Sequence, residues 1–129
     1  ACLPKTAWPP TLYIASPYSG DVERNVAFAK AACRYAMKQG VTPIASHLLY
    51  PQMLDDKVPE ERNLGTGMGL RILKVCDEIW VCGNELSSGM EQEIRAARRF
   101  RIPLRRVSEQ EIGWGLCEAP VQKGMEMGG

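Results

Sequence analysis

Apolar residues repeat along the chain in two ways, and each predicts a kind of element. Continuous runs rich in strand-forming residues predict four strands, at residues 11–15, 41–45, 77–82 and 103–107. Helical spacing predicts helices at residues 21–40, 68–75 and 88–101, and a short one at 108–114. The buried stripe of the first helix is expected at Val22, Val26, Ala29, Cys33 and Ala36 or Met37.

The alternation of strands and helices is typical of an α/β domain with a parallel sheet. Right-handed crossovers would place helices on both faces of that sheet. A further helix start is expected at Pro59, followed by a break at the glycine-rich stretch 65–69. Residues 11–115 are expected to form one domain, between an extended arm at 1–10 and a frayed tail at 116–129.

The helix that follows the third strand carries the strongest candidate for chemistry. Met90, Ile94 and Ala97 form its apolar stripe, and Glu93 lies on the same face. A carboxylate among core positions is costly unless something compensates for its lost hydration. Glu93 is therefore predicted to be functional.

The neighbouring Glu91 has a structural explanation. With Ser88 as N-cap, Glu91 would be the third residue of a capping box. It also lies four residues before Arg95, a favourable spacing for an ion pair on a helix. The two glutamates are thus expected to differ in role.

Composition limits the class of protein. A chain of 129 residues with 45% hydrophobic and 24% charged residues is typical of a single globular domain. The net charge of +1 favours neither nucleic acid nor an anionic membrane as partner, and no apolar run approaches the roughly 18 residues of a membrane span. Six arginines between residues 95 and 106 are expected to form a solvated surface, with a phosphate or subunit contact as the alternative.

The cysteines indicate a cytoplasmic protein. There are five, an odd number at irregular spacing, with no C-x-x-C pair, so we expect reduced thiols. His47 is the only histidine, which makes a structural zinc site improbable, and we expect no metal and no cofactor. Residues 1–10 lack the basic and apolar regions of a signal peptide.

Three loops should meet at the carboxyl edge of the sheet, where α/β folds bind ligands: residues 16–20, the loop from Ser46, and residues 83–89. The turn before the Glu93 helix could hold an anion through backbone N–H groups, or could simply cap the helix. His47 is either a binding residue or a satisfied loop histidine. Asp77 is more typical of a structural hydrogen-bonding residue than of a catalyst.

Several segments together resemble a known family. These are residues 13–20, Asn25, His47 with Tyr50-Pro51, residues 76–81, and Ser87-x-Gly89-Met90-x-x-Glu93-Ile94. Over roughly residues 11 to 107, the chain resembles small bacterial and phage proteins described as nucleoside 2-deoxyribosyltransferase-like. The resemblance implies a flavodoxin-like three-layer sandwich with a parallel sheet of four or five strands.

The resemblance also assigns roles. Glu93 falls on the nucleophilic glutamate of the wider superfamily, and Tyr13 on a first-strand tyrosine near it. Ser87 and Gly89 fall on the turn that holds a 5′-phosphate in the related monophosphate N-glycosidases. Those glycosidases carry a catalytic aspartate at the position aligned with Gly69, so here another group must act or the chemistry differs.

The expected function is cleavage or transfer at the N-glycosidic bond of a (deoxy)nucleoside or nucleoside monophosphate. Catalytic roles are expected for Glu93, Tyr13 and Asp77. Substrate-binding roles are expected for Ser16, Tyr18, Asn25, His47, Tyr50, Ser87, Ser88, Gly89 and Met90. The rival hypotheses are a non-catalytic nucleotide-binding module and an enzyme acting on another ribosyl donor. A homo-oligomer is expected, because related enzymes complete their sites across a subunit interface.

Overall fold

The structure, a computed structural model, describes residues 10–115. The predicted arm and tail, with Cys2 and Cys117, lie largely outside the described residues. The strands are β1 (Thr11–Ala15), β2 (Thr42–Ile44), β3 (Glu78–Cys82) and β4 (Leu104–Val107). The helices are α1 (Val22–Lys38), α2 (Pro59–Lys74), α3 (Ser88–Arg99) and α4 (Glu109–Ile112). Two 3₁₀ turns, Ser46–Leu48 and Tyr50–Gln52, follow β2.

The four strands form one parallel sheet in the order β2-β1-β3-β4. In the central pair, Tyr13 lies opposite Ile79 and Ala15 opposite Val81. The chain leaves β1 toward β2 on one side and later returns to β3 on the other. The order therefore reverses between β1 and β3, and such a point leaves a crevice at the carboxyl ends of the strands.

Each face of the sheet packs against two helices. One hydrophobic cluster joins Tyr13, Ile79 and Val81 to α2 and α3, and the other joins Leu12, Ile14 and Trp80 to α1 and α4. Alternate residues of β1 point to opposite faces, so both clusters draw on the same strand. The expected flavodoxin-like α/β sandwich is confirmed, with four strands in the described part of the chain.

The predicted break in α2 is wrong. The helix runs without interruption through Gly65, Gly67 and Gly69. Added β-carbons would lie 3.3 Å from Leu54 at position 65 and 2.9 Å from Ser46 at position 69. Two of the glycines therefore allow the loop after β2 to approach the helix closely, and this packing outweighs their low helix propensity.

The predicted stripe of α1 is also partly wrong. The buried residues of α1 are Asn25, Phe28, Ala29, Ala32 and Ala36. Val22 and Met37 are exposed, whereas the large Phe28 ring, outside the predicted stripe, is buried against the sheet. The Asp21 cap is confirmed, since its Oδ1 accepts a hydrogen bond from the Arg24 N–H. None of the helices in residues 10–115 combines the length and apolarity needed to cross a membrane.

Candidate active site

A cavity of about 670 Å³ opens at the carboxyl ends of β1 and β3, where the strand order reverses. Ten of the residues singled out in the sequence line it: Tyr13, Ser16, Tyr18, His47, Tyr50, Ser87, Ser88, Gly89, Met90 and Glu93. They come from β1, from the three loops at this edge and from the first turns of α3. The fold thus brings distant parts of the sequence to one cavity.

Tyr13 and Glu93 form the central contact of the cavity. The Tyr13 hydroxyl donates a hydrogen bond to Glu93 Oε2 at 2.5 Å. Tyr13 is 1% exposed on β1, and Glu93 is partly buried on α3. Within residues 10–115, Glu93 Oε1 has no hydrogen-bond partner, so one carboxylate oxygen is fixed and the other faces the cavity unpaired.

Burial determines the protonation of this pair. Burial raises the pKa of Glu93 to about 7, although the Tyr13 hydrogen bond opposes that rise. Burial, and then the charge of Glu93, raise the pKa of Tyr13 far above its usual range. Tyr13 therefore keeps its proton at neutral pH and donates to Glu93 when Glu93 is ionised.

Ser46 belongs to the same contact network and was not predicted as a site residue. Its Oγ lies 2.8 Å from the Tyr13 hydroxyl, and its side chain is buried. Gly69 packs directly against both groups. A polar residue just beyond the end of β2 is a signal that could have identified Ser46, since ligands bind at strand carboxyl ends.

A second hydrogen bond joins two of the predicted binding residues. Ser16 Oγ lies 2.7 Å from His47 Nε2, and the Tyr18 ring meets the His47 ring edge-on with centroids 6.5 Å apart. Burial lowers the pKa of His47 to about 4. The imidazole is thus neutral at pH 7 and carries no positive charge into the cavity.

The turn before α3 is built differently from the prediction. Ser87, not Ser88, is the N-cap, and its Oγ accepts the Met90 N–H at 3.2 Å. In return the Ser87 N–H donates to Met90 Sδ, so Glu91 has no part in the cap. The N–H groups of Ser88 and Gly89 have no acceptor among the described residues and lie at the positive end of the helix dipole.

Two predicted site residues lie elsewhere. Asp77 precedes β3 at the opposite edge of the sheet, where its Oδ2 accepts the Thr11 N–H at 2.7 Å. Asp77 therefore lies outside the cavity that holds Glu93, and its hydrogen bond agrees with the structural interpretation rather than the catalytic one. Asn25 does not line the cavity, because its amide donates to the carbonyl oxygens of Tyr18 and Ser19 and so holds the loop after β1.

Charged residues of α2 and α3 complete the cavity rim. Arg62 Nε donates to the Asp56 carbonyl, and Glu61 also lines the cavity. Arg95 lines it as well and, in the described part of the chain, forms no salt bridge with Glu91, contrary to the expected pair. Within residues 10–115, no group of three His, Cys, Asp or Glu side chains is placed to hold a metal ion.

The sequence identifies the family of this chain. The model of the family described as "Domain of unknown function (DUF7768)" matches residues 10–107, and the chain belongs to that family. No curated protein matches the sequence.

Two solved structures are similar. One is a 2-deoxyribosyltransferase from the psychrotolerant bacterium Bacillus psychrosaccharolyticus, described as a biocatalyst for the synthesis of antiviral and antitumoral nucleosides. It has 19% identity and a TM-score of 0.60 over 77% of this chain and 72% of the other. The second is a 2-desoxiribosyltransferase from Leishmania mexicana, with 18% identity and a TM-score of 0.55 over 85% and 75%. At these identities the likeness shows the fold.

Proposed function

We propose that this member of the DUF7768 family cleaves or transfers at the N-glycosidic bond of a (deoxy)nucleoside or nucleoside monophosphate. The observation that carries the proposal is the Tyr13–Glu93 contact, which fixes one carboxylate oxygen and leaves the other unpaired in the cavity. The fold shared with two 2-deoxyribosyltransferases supports the same reaction class.

In the first step, Glu93 Oε1 attacks the anomeric carbon of the sugar. The bond from that carbon to the base nitrogen breaks, and the base leaves with the electron pair. The product is a glycosyl ester of Glu93, formed through an oxocarbenium-like transition state. The hydrogen bond from Tyr13 fixes the orientation of the carboxylate and stabilises its ionised form.

In the second step, a water or the N–H nitrogen of a second base attacks the anomeric carbon, and its proton passes to the departed base or to solvent. The bond to Glu93 breaks, and the carboxylate is restored. Water gives hydrolysis, and a second base gives transfer. The same geometry of Glu93 serves both outcomes.

The remaining cavity residues bind the substrate. Ser16, Tyr18, His47 and Tyr50 contact base or sugar, with His47 as a neutral hydrogen-bonding group. The N–H groups of Ser88 and Gly89, at the positive end of α3, hold a 5′-phosphate when the substrate carries one. The Ser87 hydroxyl accepts the Met90 N–H and still has its own proton to donate to that phosphate.

The second candidate is a nucleotide-binding module that uses this cavity without catalysis. Gly69 favours it, because the position that carries an acid in the related glycosidases has no side chain here. The described cavity also offers no imidazolium, since His47 is neutral at pH 7. Leaving-group protonation typically contributes about 10² to 10⁴-fold, so the enzyme would be slow on ordinary purine nucleotides.

The test is a panel of nucleosides and nucleoside monophosphates, followed by chromatography for free base. It includes a substrate with an activated leaving group, which needs less protonation. Glu93→Gln should lower the rate by about 10³-fold or more, the scale of a lost nucleophile. Glu91→Gln is the matched control on the same helix, where the side chain is exposed and outside the cavity.

The outcomes separate the candidates. Release of base that depends on Glu93 and not on Glu91 supports the enzyme. Equal loss in the two variants excludes Glu93 as nucleophile. Binding of a nucleotide without turnover of even the activated substrate supports the binding module.

A further inference from the structure

We propose that Ser46 is a positioning residue that directs the Tyr13 hydroxyl toward Glu93, and that Gly69 provides the space that Ser46 needs. The consequence for turnover rests on the proposed function, whereas the contact itself does not. No described residue other than Ser46 and Glu93 forms a hydrogen bond with the Tyr13 hydroxyl.

The direction of the hydrogen bonds follows from counting protons. A phenol has one proton, and Tyr13 donates it to Glu93 Oε2 when Glu93 is ionised. The Tyr13 oxygen can then only accept from Ser46, which lies 2.8 Å away. The chain of donors therefore runs from Ser46 through Tyr13 to Glu93.

This chain of donors matters because Tyr13 and Ser46 are buried and Glu93 is partly buried beside them. Hydrogen bonds in a low-dielectric interior polarise one another, so a phenol that accepts from Ser46 is a stronger donor to the carboxylate. Tyr13 is 1% and Ser46 8% exposed, which leaves little access for water to replace the serine. Ser46 thus favours the ionised form of Glu93 without touching it.

Gly69 matters because the lack of a side chain there leaves room for the Ser46 hydroxyl. A β-carbon at position 69 would lie 2.9 Å from Ser46 Oγ and 3.2 Å from the Tyr13 hydroxyl. Any side chain there would displace the serine hydroxyl from its place beside Tyr13. The absence of a side chain at Gly69 therefore leaves the Ser46 hydroxyl free to stay beside Tyr13.

Carbon-13 NMR of the protein labelled at its glutamate carboxyl groups tests the proposal. Glu93→Gln identifies the Glu93 resonance, whose titration is then followed in the wild type and in three variants. Ser46→Ala removes the donor, and Gly69→Ala displaces it from another element. Gly67→Ala is the matched control, because a β-carbon at that α2 position meets nothing within 4 Å.

We expect Ser46→Ala and Gly69→Ala each to raise the Glu93 titration midpoint by about 0.5 pH unit or more. Gly67→Ala should leave the midpoint unchanged. If Ser46→Ala does not fold, Gly69→Ala still decides the question. A Glu93 midpoint that is the same in the wild type and in the folded variants overturns the proposal.

Turnover is measured separately. If the wild type releases base, Ser46→Ala should lower kcat several-fold with little change in KM, and shift the acidic limb of the pH–rate profile to higher pH. If the wild type releases no base, the proposed function fails, but the NMR titration still tests the Ser46 contact. An unshifted limb in an active Ser46→Ala protein contradicts the proposed positioning role.

Discussion

At the scale of single residues, Glu93 and His47 line the cavity and have opposite effects on how stability depends on pH. The pKa of Glu93 rises from 4.5 to about 7, and that of His47 falls from 6.5 to about 4. In both cases burial disfavours the charged form. The folded state therefore favours the neutral form of each group. Glu93 is neutral at low pH, and His47 is neutral at high pH.

These shifts predict how stability depends on pH. Between about pH 4.5 and 7 the folded state holds the Glu93 proton more tightly than the unfolded state, so this group lowers stability as pH rises. Between about pH 4 and 6.5 the unfolded state holds the His47 proton more tightly, so this group raises stability as pH rises. The wild-type profile should be nearly flat where the two windows overlap.

Single variants should reveal each contribution in denaturant unfolding measured from pH 4 to 8. Glu93→Gln removes the Glu93 contribution and leaves that of His47, so stability should rise with pH by on the order of 3 kcal/mol. His47→Gln leaves only Glu93, so stability should fall by a similar amount. Parallel profiles for the two variants would show that one of these groups is not buried in its neutral form.

At the scale of elements, the cap of α3 shows the limit of sequence patterns. Ser87 and Ser88 are adjacent, and only the second gives a capping box with Glu91 in the sequence. The structure uses Ser87, because the Met90 sulfur occupies the place of the expected carboxylate and leaves Glu91 exposed. This one-residue shift could not be seen in a pattern that assumes a glutamate partner.

The corrected cap gives a comparison of two adjacent serines. Ser87→Ala removes the acceptor of the Met90 N–H and should lower the free energy of unfolding by about 1 kcal/mol. Ser88→Ala removes an exposed hydroxyl that forms no hydrogen bond within the described residues, so its effect should be smaller. Thermal unfolding of both variants measures the difference, and a larger effect at Ser88 would restore the predicted cap.

In other elements too, some features can be predicted from the segment itself and others depend on contacts with distant parts of the chain. Strand and helix order follows from apolar spacing, which each segment carries by itself. The continuity of α2 does not, because Gly65 and Gly69 are explained by contacts with Leu54 and Ser46 from another part of the chain. Helix propensity alone therefore predicted a break where packing supports a helix.

At the scale of the whole molecule, the sheet order determines which predicted residues meet. Loops that follow β1, β2 and β3 converge at one edge, and this edge holds Glu93, Tyr13 and His47. Asp77 comes before its strand, so the same topology places it at the other edge. Whether a candidate site residue comes before or after its strand therefore predicts its place at the cavity better than its residue type does.

The homo-oligomer is the last prediction, and exposed apolar residues near the cavity suggest where its interface would lie. Met53 is 70% exposed, next to the cavity-lining Pro51 and Leu54 in the loop after β2. Leu49 and Leu64 are exposed apolar neighbours of the lining residues Tyr50 and Gly65. Because exposed apolar side chains can mark surfaces that another protein covers, we expect these residues to contribute to an interface.

We expect light scattering at micromolar concentration to give a multiple of the 14.3 kDa chain mass. Met53→Glu combined with Leu64→Glu should shift that mass toward the monomer, because a charge buried at an interface without a partner is strongly unfavourable. Val75→Glu is the control, since Val75 is 73% exposed just beyond the C-terminal end of α2 and outside the cavity. A wild-type mass near 14.3 kDa contradicts the oligomer, and dissociation by Val75→Glu alone would place the interface at the opposite end of α2.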